Sequence, residues 1–204
     1  HGMVADALML VRVPRADLWV VEADRRGPFA EASRIPGDTR EAVERIHGVT
    51  AAGSLTYQSV EVQRAGAKLR MQVVGYEPGR PGGPQNLIAG RPIARSHFEM
   101  VADRGSGLAL GDTLMLGRNR FTVVGITAGQ VASGGDPVAF ITLLDSHALQ
   151  FELAPPAARI ELARGGAGGG QDTVNAVVAR VTANVRADDV VQAVRRWKHL
   201  GAMT

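Results

Sequence analysis

The residues with the clearest capacity for chemistry are His97, Glu99 and Asp103. His97-Phe98-Glu99 has an H-x-E spacing, and Asp103 follows four positions later, so the three could offer nitrogen and oxygen to a metal. Catalytic zinc takes three protein ligands, and no second histidine stands nearby. The plainer reading of these residues is a polar helix face. His47, His147 and His199 fall at or near expected helix ends, where an imidazole meets the last carbonyls or the dipole. A serine hydrolase is not supported either. Ser54, Ser59, Ser96, Ser106, Ser133 and Ser146 all lack the G-x-S-x-G surroundings of a nucleophile elbow. Asp136 sits between Gly134-Gly135 and Pro137, which is turn chemistry. Gly165 to Gly170 is glycine-rich but lacks the Lys and Ser/Thr that grip a phosphate, and it reads as a flexible linker. Cysteine is absent, which removes disulfides, thiol catalysis and Cys-based zinc sites. The expectation is no catalytic, metal-binding or cofactor-binding residue, no cofactor, and no enzyme.

Composition narrows the class further. The chain has 204 residues, 45% hydrophobic and 21% charged, enough for a real core. Aromatics are only 4%, so that core must be mostly Val, Leu, Ile and Ala. No apolar run approaches the roughly 20 residues of a spanning helix. No signal-peptide pattern is present, and His1-Gly2 reads as a cloning remnant, so the chain is expected to be a piece of something longer. The formal net charge is +3 and the pI about 9.9. The positive charge is mostly arginine, with lysine only at Lys68 and Lys198, and it is diluted along the chain. Nucleic-acid binders cluster such charge and interleave aromatics, so no nucleic-acid partner is expected.

The elements that must carry these residues follow from periodicity. Met3 to Val13 is apolar, and Asp17 to Glu22 packs Leu18, Trp19, Val20 and Val21 into a buried strand. Arg25 to Pro36 is a loop. Asp38 and Glu41 have capping-box spacing for a helix with Ala42, Val43 and Ile46 on one face, stopped at Gly48. Leu55 to Arg64 and Lys68 to Tyr76 alternate as a hairpin about Ala65-Gly66-Ala67. The run Pro78 to Pro84 marks a subdomain boundary. Ile93 to Val101 reads as a short helix or turn with Phe98 and Met100 inward. Asp112 to Leu116 and Arg120 to Ile126 form a second hairpin, and Val138 to Thr142 another strand, with Asp145 capping a helix through Leu149. Leu153 to Gln171, with Pro155-Pro156, reads as a mobile loop. Val174 to Val181 is a strand. Asp188 then caps a helix whose Val190, Val191, Val194 and Trp197 share a face, with Arg195, Arg196, Lys198 and His199 in its last turns. Trp19 and Trp197 suit core packing by default, or proximity to a membrane interface. The order predicts an α+β platform split by a β-rich insertion.

Several blocks, in this order, resemble the extracytoplasmic core domain of MacB/FtsX-like ABC-transporter permeases. They are ADLWVVE (Ala16–Glu22), IPGDTREAVERIHGV (Ile35–Val49), VVGYEP (Val73–Pro78), AGRPIA (Ala89–Ala94), LGDTLMLGRNRFTVVGI (Leu110–Ile126) and the tail Val177–Trp197. The RGPFAEASRIP loop (Arg26–Pro36) is similar to the DevC-type branch. The resemblance implies an α+β, two-lobed fold. A porter-like α/β platform would take residues 14–86 and 172–204. An inserted β-rich (Sabre-like) lobe would take 87–151, with a flexible loop over 152–171. It further implies a periplasmic domain of an inner-membrane protein, lying between the first and second transmembrane helices. Met3–Val13 would continue the first helix and Trp197–Thr204 would lead toward the second. The implied role is non-enzymatic mechanotransmission in export or efflux. The implied partners are a separate ABC ATPase subunit, a periplasmic membrane-fusion or adaptor protein, and a second permease copy. Two other classes stay open at this point: a stand-alone module binding a small ligand or peptide, and a metal-dependent hydrolase built on His97 and Glu99.

Overall fold

The computed structural model describes residues 18–22, 35–132, 134–164, 173–182 and 200–203. Its frame is a hairpin. Strand β3 (Val49–Arg64) turns through Ala65 (φ 49°) and Gly66 (φ 78°) into β4 (Ala67–Tyr76). Two consecutive left-handed residues are what a two-residue type I′ turn requires, and its twist matches that of the strands it joins. The pairing is in register from Leu55↔Tyr76 to Arg64↔Ala67.

Further strands extend this hairpin in both directions. They are β1 (Leu18–Glu22), β5 (Leu87–Gly90), β6 (Glu99–Asp103), β7 (Thr113–Leu116), β8 (Asn119–Thr127), β9 (Val138–Thr142), β11 (Ala176–Val181) and β12 (Leu200–Met203). Ten strands form one sheet in the order β12-β1-β11-β3-β4-β9-β6-β8-β5, with β7 also paired to β8. The late strand β11 lies between the early strands β1 and β3, antiparallel to both. Strand β9 runs parallel to β4, and β6 parallel to β8. A separate two-stranded ribbon joins β2 (Ile35–Pro36) to β10 (Thr173–Val174).

Period-two alternation sends side chains to opposite faces. On one face, Ala52, Val177 and Ala179 pack with Ile35 and Val174 beneath Val43 of α1 (Thr39–Glu44). Farther along, Met71, Val73, Met100, Phe121, Ile141 and Leu149 form the largest apolar cluster. Leu149 belongs to α2 (Leu143–Leu153), whose Ser146 approaches the sheet at Gly75. There the Thr56 and Ser146 hydroxyls bond at 2.6 Å, both buried. On the other face Leu55, Val74, Tyr76, Val101, Phe140 and Val178 pack together, with Tyr76 edge-on to Phe140 at 6.1 Å.

Several expectations change. Asp38 is the N-cap of α1 but makes no side-chain cap bond, because its backbone is already helical (φ −81°, ψ −1°). A cap needs an extended backbone to aim its oxygen at the next amides. The short helix or turn expected over Ile93–Val101 gives way to strand β6 over Glu99–Asp103. Met100, Val101, Ala102 and Asp103 are all buried between β8 and β9, so no alternation marks them as a strand. The inward direction of Met100 holds, and Phe98 is half-buried with its ring 5.1 Å from Phe121. The cap of α2 is Thr142, whose hydroxyl accepts from the Asp145 amide at 3.2 Å, so Asp145 sits in the first turn. Residues Pro156–Arg164 form helix α3 where a mobile loop was expected; proline suits a first helical position. The expected strand Val174–Val181 divides at Asn175, whose amide donates to Leu55 O and whose Oδ1 accepts from Tyr57 N. Part of the tail expected to lead toward a membrane helix is strand β12. The Met3–Val13 segment, most of the Arg25–Pro36 loop, Gly165–Gly170 and the Asp188 helix lie outside the described residues.

Candidate functional site

The structure gives His97, Glu99 and Asp103 separate partners rather than a shared ligand. Glu99, at the start of β6, accepts from both Arg91 Nη atoms, with Nη1 at 3.1 Å, and from the Ala94 and Arg95 amides at 2.9 Å each. The Arg91 hydrogen bond is the main reason its carboxyl falls to about 2, helped by those two amides. A carboxylate so engaged is a clamp on the 91–98 loop, not a free base. Asp103 is 2% exposed and accepts from the Gln130 amide at 2.7 Å, the Gly105 amide at 2.8 Å and the Thr127 hydroxyl at 3.3 Å. It ties the turn after β6 to the end of β8 and the loop that follows it.

His97 turns to α2 instead. Its backbone N–H donates to Asp145 Oδ2 at 3.0 Å. Its Nδ1 lies 3.0 Å from Asp145 Oδ1, at ion-pair distance but outside hydrogen-bond alignment. The imidazole is 59% exposed while the Asp145 side chain is fully buried. Among the described residues, no group of three His, Asp or Glu side chains could hold a metal ion.

Four of the candidate serines also have structural partners. Ser106 Oγ donates to Asp103 O, Ser59 Oγ to Gln72 Oε1, and Ser146 is bonded to Thr56. Ser54 is buried and donates its amide to Glu77 Oε1 at 2.9 Å. Ser96 is exposed, and Ser133 lies outside the described residues. His147 Nε2 is 3.0 Å from Thr173 O, which ties α2 to β10, and His47 is exposed. Asp136 pairs with Arg70 at 3.4 Å. His199 lies outside the described residues.

What the polar groups do build is a set of long-range pins. Arg40 on α1 pairs with Glu44 at 3.3 Å and with Glu77 at 3.0 Å, and Arg80 bridges the same two carboxylates. Arg64, at the tip of the β3–β4 hairpin, pairs with Asp112 before β7 at 2.5 Å. The Ala109 amide, then Arg64, holds the Asp112 carboxyl below the usual range. Glu152 on α2 accepts from the Arg118 amide at 2.9 Å and Asn119 Nδ2 at 3.3 Å. Burial alone raises the Tyr57 phenol strongly, and burial with Glu99 pushes Tyr76 up to about 12. Arg40–Glu44 and Arg80–Glu77 have local i,i+4 and i,i+3 spacing, but the pins from Arg40 to Glu77, Arg80 to Glu44, Arg64 to Asp112 and Glu152 to Arg118 join residues dozens of positions apart, which no local spacing announced. Arg91 and Glu99 were near enough in sequence to see, but only the intervening loop brings them together.

The remaining geometry concerns the ends of the described sheet. Strands β1 and β12 are antiparallel neighbours, with Trp19↔Met203 and Glu22↔Leu200 opposed. The chain therefore enters β1 and leaves β12 side by side, at one end of the sheet.

Comparison with known proteins decides the family. A family model described as the MacB-like periplasmic core domain matches residues 3–197. The chain belongs to this family. It is an extracytoplasmic domain of a membrane protein. Two uncharacterized ABC transporter permeases of Mycobacterium tuberculosis, strains CDC 1551 / Oshkosh and ATCC 25618 / H37Rv, are each 28% identical to it over 155 residues. That match covers 76% of this chain and 44% of theirs, so the chain spans less than half the length of these relatives. Among solved structures, the periplasmic region of MacB from Actinobacillus actinomycetemcomitans aligns with a TM-score of 0.62 at 10% identity, covering 100% of this chain and 94% of that one. The extracellular domain of the noncanonic ABC-type transporter YknZ from Gram-positive bacteria gives 0.56 at 11%, covering 92% and 98%. A domain of a putative permease from Porphyromonas gingivalis gives 0.57 at 15%, covering 93% and 90%. These structures share the α+β fold of the MacB-like domain.

Proposed function

We propose that this MacB-like domain works without chemistry of its own, as a mechanical relay between two transmembrane helices of a permease. A separate ATPase subunit drives those helices, a second permease copy completes the transporter, and a periplasmic adaptor receives the motion during export. The observation that carries this reading is the pairing of β1 with β12. With the incoming and outgoing chain on adjacent, mutually bonded strands, displacement of either helix would move the sheet directly. The private partners of His97, Glu99 and Asp103 support a non-catalytic reading.

We further assign two working halves. Strands β12, β1, β11 and β3 lie on one side of β4, and β9, β6, β8, β5 and β7, all drawn from residues 87–142, lie on the other. The first half is the porter-like platform nearer the bilayer, and the second is the β-rich lobe that meets the adaptor. Photo-cross-linking in the full-length permease tests this, because the domain has no cysteine to interfere with a single introduced one. Cysteine-linked probes at exposed Met115 or Arg118 of the β7–β8 hairpin should capture the adaptor, and one at exposed Arg45 beside α1 should not. Capture from Arg45 alone would reverse the assignment. Loss of ATP-driven export with retained ATPase activity, on disrupting the Met115 surface, would support the relay.

A further inference from the structure

We draw no further inference here: the strongest candidate, the outer edge of β5 with Leu87, Ile88 and Leu110 exposed beside it, is a short strand already bulged between Leu87 and Ala89, and nothing in the structure shows what covers it.

Discussion

Gly75→Ala should loosen the contact between α2 and the sheet. A Cβ built on Gly75 would fall well inside 3.0 Å of Thr56 Oγ1 and Ser146 Cβ, and 2.7 Å from Ser146 Oγ. Both neighbours are short side chains fixed to regular elements, so neither can swing aside. Gly75 is not in the left-handed region, so alanine there carries no backbone strain and restricts the unfolded chain, a gain of about 0.4–1 kcal/mol. Against this stand overpacking, about 1–3 kcal/mol, and the loss of the buried Thr56–Ser146 bond, about 1–3 kcal/mol if the hydroxyls stay unpaired. The balance is a destabilisation of about 2–4 kcal/mol, or roughly 5–15 °C in Tm for a chain of this size. Thermal and guanidinium melts followed by circular dichroism read it directly. Adding Thr56→Ala to Gly75→Ala should cost less than the sum of the two single changes, because both act at one contact. A Gly75→Ala variant melting within about 2 °C of the parent would refute the packing argument.

Other outcomes follow from the same coordinates. The Glu99 carboxyl is lowered on folding, so it contributes stability above its unfolded value that is lost as pH falls toward about 2. Fully shielded, a shift of that size would be worth about 3 kcal/mol, but Arg91 is 51% exposed, so about 1–2 kcal/mol is expected. Guanidinium midpoints measured between neutral pH and acid should flatten in Glu99→Gln. The two tyrosines, Tyr57 and Tyr76, are both raised, so their contribution is intact below the unfolded phenol value and disappears as pH climbs past it. Alkaline difference spectra should show no phenolate near pH 10 while the protein is folded; an early step there counts against Tyr57 burial. Phe121→Ala, at a residue 1% exposed, should cost about 3–5 kcal/mol in denaturant melts. Arg64→Met, at a pair 35% and 29% exposed, should cost under about 1 kcal/mol. His97→Ala should leave the zinc content of purified protein unchanged by elemental analysis.

Features set by local periodicity were legible in the sequence. The β3–β4 hairpin announced itself because polar Glu61 and Arg70 alternate with apolar Val60 and Met71 around Ala65-Gly66. The Thr113–Leu116 and Asn119–Thr127 hairpin did so through the turn residues Gly117-Arg118-Asn119, of which Asn119 already belongs to the returning strand. Strand β6 was not legible, because burial on both faces erases alternation and left His97-Phe98-Glu99 looking like chemistry. Helix α3 was hidden by Pro155-Pro156 and the glycines after it, which outweighed the helix formers of Ala157 to Arg164. The candidate metal ligands separated for a reason no spacing reveals. Arg91, Asp145 and Gln130 each claimed one of them from elsewhere in the fold. Family membership was the most legible feature, since it rests on the order of blocks rather than on any single contact.

The relay itself is tested most directly by distance. A spin label at Arg118→Cys in each copy of the full-length permease, assembled with its ATPase in nanodiscs, reports the separation of the two domains by pulsed electron resonance. Trapping the ATPase with vanadate should shift that distribution by several ångströms from the nucleotide-free state. Superimposable distributions in the two states, with ATP hydrolysis intact, would contradict a domain that carries motion across the membrane.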